Sequence, residues 1–276
     1  MQRARLLGVP THHNRTSLKG DLAVSKVYAI TNQKGGVGKT TTSINLSAYL
    51  AAAGRKVMLI DLDPQANSST GLGVAHSGQA SIYEVLVESG VSLNDVAVPN
   101  TRPNLTVVPS SVDLAGAEIE LVDIPEREYR LRRAIEPLRS RYDYILIDCP
   151  PSLGLLTINA LTASDGVLIP MQCEYLPLEG LSQLLNSVKL VRARFNPTLE
   201  IGGVILTMFD PRTRLATEVV REIRTHFPKE VFQTVIGRNV RLSEAPSHGK
   251  TILEYDPNSP GALAYRALAE EVISRG

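Results

Sequence analysis

A glycine-rich segment near the start of the chain has the residue types needed to bind phosphate. It reads Lys34-Gly35-Gly36-Val37-Gly38-Lys39-Thr40-Thr41, between an apolar stretch (27–30) and a helical pattern that opens at Thr41. Backbone N–H groups in such a loop, with the amino end of a helix behind them, form a concave anion site. Lys39 can reach the β- and γ-phosphates of a nucleotide, and the Thr40 hydroxyl can bind Mg²⁺. The segment therefore predicts binding of a nucleoside triphosphate with magnesium.

The loop departs from the common phosphate-loop pattern at one position. That pattern has glycine five residues before Gly38, and Gln33 occupies the position here. A second lysine, Lys34, lies inside the loop instead, where it cannot easily contact the phosphate that Lys39 serves. Gly35 and Gly36 permit close approach of another backbone. This departure narrows the class of nucleotide-binding protein.

Two carboxylates follow predicted strands. Asp148 ends the apolar run 144–148, and a buried carboxylate is costly unless it binds something charged. We expect it to hold Mg²⁺ directly or through a water molecule, and capping of a helix is the alternative role. Asp63 follows the run 57–62 and precedes Pro64, which restricts the backbone and ends the strand. Asp61 points to the same face, supporting either Mg²⁺ or the loop; both acids could also be turn residues.

The elements that position these residues alternate along the chain. Apolar runs predict strands at 27–31, 57–62, 105–109, 144–148, 166–170, 203–208 and 231–236, and helical periodicity predicts helices at 40–53, 128–140, 153–164, 178–195, 214–226 and 260–274. Strands that are apolar throughout indicate a parallel sheet covered on both faces. We therefore expect a doubly wound α/β fold with a mostly parallel sheet, and ligands at the carboxyl ends of its strands.

Composition limits which classes of protein this chain can belong to. The chain has 276 residues, is 43% hydrophobic and carries a net charge of +1. No apolar run approaches the ~20 residues that span a bilayer, and no signal-peptide core is evident. Residues 1–24 are polar and basic, which predicts a disordered arm, and residues 25–276 are expected to form one domain. Cys149 and Cys173 adjoin predicted buried strands and are interpreted as buried thiols. A cytoplasmic protein is expected.

The phosphate loop and four other segments resemble the ParA/Soj group of partitioning ATPases, within the deviant-Walker-A class of P-loop NTPases that includes MinD. The other segments are Asp61-Leu62-Asp63-Pro64-Gln65, the stretch from Ile145 to Pro151, Met171-Gln172-Cys173-Glu174-Tyr175 and the stretch from Arg238 to Ser247. The resemblance covers about residues 25–275. It implies an ATPase of the cytoplasm, associated with the nucleoid, that uses ATP and Mg²⁺.

The resemblance also implies roles for individual residues. Lys34 would cross the interface of an ATP-bound homodimer and contact the partner subunit's nucleotide, while Asp63 would orient the attacking water. Asn239 and Pro246 would contact the base. Arg212 and Arg241 would bind DNA without regard to sequence, in a segment (212–241) with seven basic and three acidic residues, an excess that a solvated helix face could also produce. A ParB-type centromere-binding protein would stimulate hydrolysis.

Three other classes of function are weighed against this one. A MinD-like membrane-cycling ATPase needs a terminal amphipathic helix with basic residues beside bulky apolar ones. The tail 262–276 has two acids and few bulky groups, and is typical of a helix that docks on its own domain. A metabolic enzyme such as an amidotransferase-synthetase needs a substrate pocket or a glutaminase domain with a nucleophilic cysteine, and no such segment is present. An iron protein with cysteines bridging the dimer axis fits poorly, because Cys149 adjoins Asp148.

Overall fold

The computed structural model describes residues 25–74, 79–174 and 177–275. The expected N-terminal arm, residues 1–24, and Tyr175 lie outside the described residues. Eight strands form one sheet within these ranges. They are β1 (Lys26–Ile30), β2 (Val57–Asp61), β3 (Val98–Arg102), β4 (Leu105–Val108), β5 (Tyr144–Asp148), β6 (Gly166–Gln172), β7 (Glu200–Phe209) and β8 (Val231–Gly237).

The strand order across the sheet is β3-β4-β2-β5-β1-β6-β7-β8. Each neighbouring pair is parallel except β3 and β4, which are antiparallel at one edge. Every residue of β2 and β5 is buried, as expected for strands covered on both faces. The register places Asp148 opposite both Ile30 and Asp61, so the ends of the three central strands lie side by side.

Helices cover both faces of the sheet. Those in the described ranges are α1 (Lys39–Ala52), α2 (Asn67–Gly71), α3 (Ile82–Val87), α4 (Leu93–Val96), α5 (Leu114–Glu120), α6 (Arg130–Ile135), α7 (Leu155–Ala163), α8 (Pro177–Arg194), α9 (Arg214–His226), α10 (Arg241–Glu244), α11 (Ile252–Tyr255) and α12 (Pro260–Arg275). Because side chains alternate along each strand, the sheet forms two cores. Met58 and Ile60 face the core made with α3 to α9, whereas Val57 and Leu59 face α1, α11 and α12. The predicted doubly wound, mostly parallel fold is confirmed.

The structure differs from the predicted elements in three places. The helix predicted at 128–140 is instead the short α6 between two 3₁₀ turns (Arg127–Tyr129 and Glu136–Leu138), because Pro137 lacks the N–H that a continuing helix needs. Strand β3 was not predicted, since Pro99 and its polar neighbours suit only a sheet edge. The helices α2 to α5, α10 and α11 are too short for a helical period to be evident. No helix of the described ranges has the length and apolar character to cross a membrane.

Candidate functional site

The phosphate loop joins the carboxyl end of β1 to the amino end of α1. Gly36 and Gly38 have φ of +73° and +87°, a region that side chains rarely adopt, so the backbone here requires glycine. Asn32 holds the start of the loop: its Nδ2 donates to the Pro170 carbonyl at 2.8 Å, and its Oδ1 accepts from the Lys34 N–H at 3.0 Å. The loop is therefore anchored to β6 before it turns into the helix.

The two loop lysines have different environments. Lys39 is buried, and its Nζ donates to the Lys34 carbonyl at 3.2 Å, so its ammonium lies across the mouth of the loop. Burial lowers the pKa of Lys39, while the carboxylates of Asp148 and Asp63 favour its charged form. The side chain of Lys34, by contrast, is exposed. Only Lys39 is thus placed to serve phosphates bound by its own loop.

Asp148 lies behind the loop and is fully buried. It accepts hydrogen bonds from Ser43 Oγ at 2.9 Å and Ser68 Oγ at 2.5 Å, and the Thr40 hydroxyl lies beside it. Burial raises the pKa of Asp148, while the hydrogen bonds from Ser68 and Ser43 favour its charged form. A hydroxyl and a carboxylate are oxygen ligands that suit Mg²⁺, which completes its shell with phosphates and water. No group of three or more His, Cys, Asp or Glu in the described ranges could hold a metal by itself.

The two acids after β2 lie in one turn. Asp61 accepts from the Ser69 N–H and hydroxyl at 2.8 and 2.7 Å and from the Asp63 N–H at 3.2 Å. These contacts hold Asp61 to its own turn and to α2 rather than to the phosphate loop. Asp63 accepts from the Gln65 N–H at 3.0 Å and lines the cavity beside the phosphate loop. Asp61 thus holds the turn that presents the Asp63 carboxylate to that cavity.

A cavity of about 570 Å³ opens over the phosphate loop. This volume is typical of a site for a drug-sized ligand. Its phosphate end has Gly35, Gly36, Gly38, Lys39, Thr40, Thr41 and Asp63, and its other end has Ile236, Gly237, Arg238, Asn239, Leu242 and Tyr265. Val37 lies outside the lining because its side chain is buried in the core, and Asp148 lies behind Lys39 and Thr40. The structure therefore brings most of the predicted nucleotide-binding residues around one cavity.

Of the two residues predicted to contact the base, only Asn239 lines the cavity. Its Oδ1 accepts from the Arg241 N–H at 2.9 Å, which leaves the side-chain amide as a donor. Pro246 lies outside the lining and packs beside Gly71, where an added Cβ would be 3.2 Å from the proline Cβ. The Pro246 ring, which was predicted to contact the base, therefore packs against α2 instead.

Thr207, Met208 and Tyr265 are among the cavity residues that the sequence analysis missed. Thr207 and Met208 lie at a bulge of β7, where the register with β8 shifts and Met208 has a φ of +53°. Tyr265 of α12 reaches the cavity from the last helix, with its hydroxyl 3.1 Å from that of Thr42. No local pattern marks these residues, because their partners are far away in the sequence.

The two arginines predicted to bind DNA lie outside the cavity. Arg212 follows β7, is 84% exposed and forms two hydrogen bonds with Asp210 at 2.9 and 2.7 Å. These contacts lower the pKa of Asp210 to about 2. Arg241 follows β8, donates to Glu244 at 2.9 Å and is half exposed. Since β7 and β8 are parallel neighbours, both arginines lie at the carboxyl edge of the sheet, as the phosphate loop does.

Comparison with known proteins gives consistent matches over most of the chain. Residues 25–201 match the family model described as an AAA domain. The chain is 57% identical over 254 residues to the sporulation initiation inhibitor protein Soj of Bacillus subtilis, covering 92% of this chain and 100% of that protein. It is 52% identical to the chromosome partitioning protein ParA of Myxococcus xanthus, covering 93% and 91% of the two chains.

A solved structure shows the same fold with nucleotide bound. It is the cobyrinic acid a,c-diamide synthase of Mycobacterium smegmatis with an ATP analogue and magnesium, at a TM-score of 0.78 and 38% identity. The match covers 90% of this chain and 93% of that one.

Proposed function

Because this chain belongs to the ParA/Soj family of partitioning ATPases and hydrolyses ATP with Mg²⁺, we propose that it is an ATP-dependent switch for DNA segregation. In this proposal, ATP-bound sandwich dimers bind DNA non-specifically, and hydrolysis stimulated by a ParB-type partner releases them. The single observation that carries the proposal is the contrast between the buried ammonium of Lys39 and the exposed side chain of Lys34 in one loop.

Lys34 provides the cation between subunits. Its carbonyl is bound by Lys39, so the backbone is fixed while the side chain extends into solvent. A cation supplied by the other subunit stabilises charge on the transferred phosphoryl group, as an arginine finger does. Gly35 leaves room for that approach, because no atom lies within 4 Å of the position of its absent Cβ. Dimerisation then depends on the γ-phosphate.

The acidic residues of the site have separate roles in ATP hydrolysis. Thr40 and Asp148 would hold Mg²⁺, which would neutralise charge on the bound phosphates. Asp63 orients the attacking water, since its carboxylate lines the cavity on the side of the phosphate loop. Asp61 fixes the backbone of Asp63 through a 3.2 Å hydrogen bond and so keeps that carboxylate in position. The side-chain amide of Asn239 contacts the base.

Arg212 and Arg241 form the DNA contacts. Both side chains are exposed at the same edge of the sheet, and DNA phosphates must replace the carboxylates of Asp210 and Glu244 that pair with them here. Such contacts are individually weak and depend on salt. A dimer doubles the patch and raises avidity, which links DNA residence to the nucleotide.

Specific observations disfavour a membrane-cycling ATPase and an enzyme with a nucleophilic cysteine. In α12, Tyr265, Leu268 and Val272 are buried in the core, so its apolar face is occupied within the chain rather than free for a membrane. The chain's two cysteines, Cys149 and Cys173, are buried free thiols, and burial raises the pKa of both, which does not suit a nucleophile.

The test is DNA binding measured with ADP, ATP and a slowly hydrolysed ATP analogue at several salt concentrations. The switch predicts tight binding with ATP and the analogue only, with affinity falling steeply as salt increases. Equal DNA binding in every nucleotide state would contradict it. Recruitment to anionic lipid vesicles with ATP, measured in parallel, would instead support the MinD-like alternative.

A further inference from the structure

An apolar stripe faces solvent along α5 and the turns at its ends. It consists of Val112, Ala115, Ile119 and Val122, spaced by three, four and three residues, which places them on one side of a helix. Val112 and Ile119 are 78% exposed and Val122 is 53% exposed. We call these four residues the α5 stripe.

The opposite side of α5 already supplies its packing. Leu114, Ala117 and Leu121 are buried in the core against neighbouring helices. The α5 stripe therefore adds nothing to the stability of this fold. Exposed aliphatic side chains aligned on one helix face are typical of an interaction site. Leu153, in the loop before α7, extends the apolar surface, since Glu118 of α5 accepts from the Leu156 N–H at 3.3 Å.

The charge around the stripe is mostly acidic. Residues 111–126 contain five acids (Asp113, Glu118, Glu120, Asp123 and Glu126) and no lysine or arginine, in a chain whose net charge is +1. The helix packed beside it, α3, adds Glu84 and Tyr83, whose hydroxyl donates to Glu120 at 2.9 Å. Two bases lie close to this segment: Arg127 donates to the Val122 carbonyl and pairs with Glu128, and Arg133 pairs with Glu126. The acids Asp113 and Asp123 have no such ion pair within the described ranges. The stripe is thus an apolar surface with an acidic rim.

The acidic rim indicates what kind of molecule binds the α5 stripe. If two copies paired through the same stripe, their acidic rims would face each other, which is unfavourable. A basic segment with an apolar face complements both features.

Beside the stripe, a cavity of about 660 Å³ is lined by residues that include Ser110, Val112 and Asp113. The Ser110 Oγ beside this cavity is buried and has no hydrogen-bond partner within the described ranges.

The same cavity adjoins the site of hydrolysis. Gln65 lines both this cavity and the one over the phosphate loop, and its N–H bonds to the Asp63 carboxylate at 3.0 Å. A side chain that enters the second cavity therefore contacts the turn that holds Asp63. This provides a physical route from the α5 stripe to the water-orienting residue.

We propose that the α5 stripe and its acidic rim are the docking surface for a basic, amphipathic segment of the protein partner that stimulates ATP hydrolysis. This inference rests on the proposed function, since it places the partner of the switch. The partner's apolar side chains cover Ile119 and Val122, and its basic side chains face Asp113 and Asp123. Docking acts on hydrolysis through Gln65.

The test uses the full chain and the ParB-type protein of the same organism as the probe. The stripe variant is Ile119→Gln with Val122→Gln, and the matched control is Leu190→Gln with Leu263→Gln, which are 60% and 55% exposed on α8 and α12. Binding and stimulated phosphate release are measured with ATP. We expect the stripe variant to bind the probe about tenfold more weakly or worse, as loss of a central apolar contact does. The control variant should match the parent.

Two further measurements complete the design. Asp113→Asn with Asp123→Asn should weaken binding and reduce its salt dependence. Basal hydrolysis and ATP-dependent dimerisation, measured without the probe, should be unchanged in all variants. Loss of dimerisation in the stripe variant would overturn the proposal, because a second copy would then be the occupant. Parental stimulation of the stripe variant would overturn the docking surface alone, whereas failure of the probe to bind the parent would overturn the partner in the proposed function as well.

Discussion

The hydroxyl of Thr207 donates a hydrogen bond to the Val37 carbonyl at 2.9 Å, joining β7 to the phosphate loop. A trans peptide points its C=O and N–H in opposite directions. Holding the Val37 carbonyl toward Thr207 therefore turns the Gly38 N–H away from β7, toward the cavity that Gly38 lines. The bulge at Thr207 and Met208 thus positions an amide for phosphate from outside the loop.

We expect Thr207→Val to weaken ATP binding by about tenfold. Valine has a similar shape but leaves the buried Val37 carbonyl without its donor, a loss of about 1–3 kcal/mol. The change in affinity is measured by equilibrium binding of a fluorescent ATP analogue. Thr207→Ser keeps the hydroxyl and should retain most of the affinity. The control is Thr162→Val, since Thr162 is buried with no partner for its hydroxyl within the described ranges. Equal affinities for Thr207→Val and Thr162→Val would show that the hydrogen bond does not position the loop.

Lys39→Ala should abolish useful nucleotide binding. Lys39 is the lysine buried at the mouth of the loop, and removing a buried charge from its anionic partner costs about 2–5 kcal/mol, or more than ~30-fold in affinity. Calorimetric titration with ATP and Mg²⁺ measures this. Lys34→Ala is the matched variant and should bind ATP normally as a monomer. Normal ATP affinity in Lys39→Ala would show the assignment of the loop to be wrong.

Asp63→Ala should bind ATP and dimerise but hydrolyse ATP about 10²–10⁴-fold more slowly, because the attacking water is no longer oriented. The phosphate loop is unaffected, since the hydrogen bonds of Asp63 are to its own turn. Steady-state phosphate release and DNA binding are measured together. The variant should accumulate on DNA with ATP. Hydrolysis at the parental rate would make Asp63 a turn residue only.

Gly35→Val should bind ATP within about threefold of the parent and remain a monomer. The space around the absent Cβ is open within the subunit, so valine is tolerated there but blocks a close approach from the other subunit. Sedimentation velocity with ATP and Mg²⁺ distinguishes the two states. Gly35→Ala should show an intermediate defect. A Gly35→Val dimer as stable as the parent would remove Gly35 from the interface.

Arg212→Glu and Arg241→Glu should each weaken binding to unrelated DNA sequences by similar factors, because phosphate contacts carry no base information. Each lost contact should reduce the slope of log affinity against log salt by about 0.9 per subunit. Arg266→Glu is the matched charge change on α12, where Arg266 is 68% exposed, and should have little effect. ATP-dependent dimerisation should be unchanged for Arg212→Glu. Full DNA binding by the double variant would contradict the DNA switch.

Much of the fold was predictable because its signals are local. The buried parallel strands are apolar up to the aspartate that ends them, as β2 and β5 show, and α9 has a clear helical period. Edge strand β3 was missed because Pro99 and polar residues give it no strand pattern. The break at Pro137 shows the opposite error, where a helical pattern was assumed to continue through a residue that ends it.

Local patterns were enough to predict the phosphate loop and the strand ends next to Asp63 and Asp148, because glycine spacing and apolar runs act within a few residues. The distant residues that complete the site became known only from the packing of the folded chain. Thr207 reaches Val37, Tyr265 enters the cavity from the last helix, and Pro246 turns to Gly71 instead of the cavity. These contacts depend on the order in which strands pair and on how helices pack over them. That order follows from burial summed over the whole chain, so no local pattern records it.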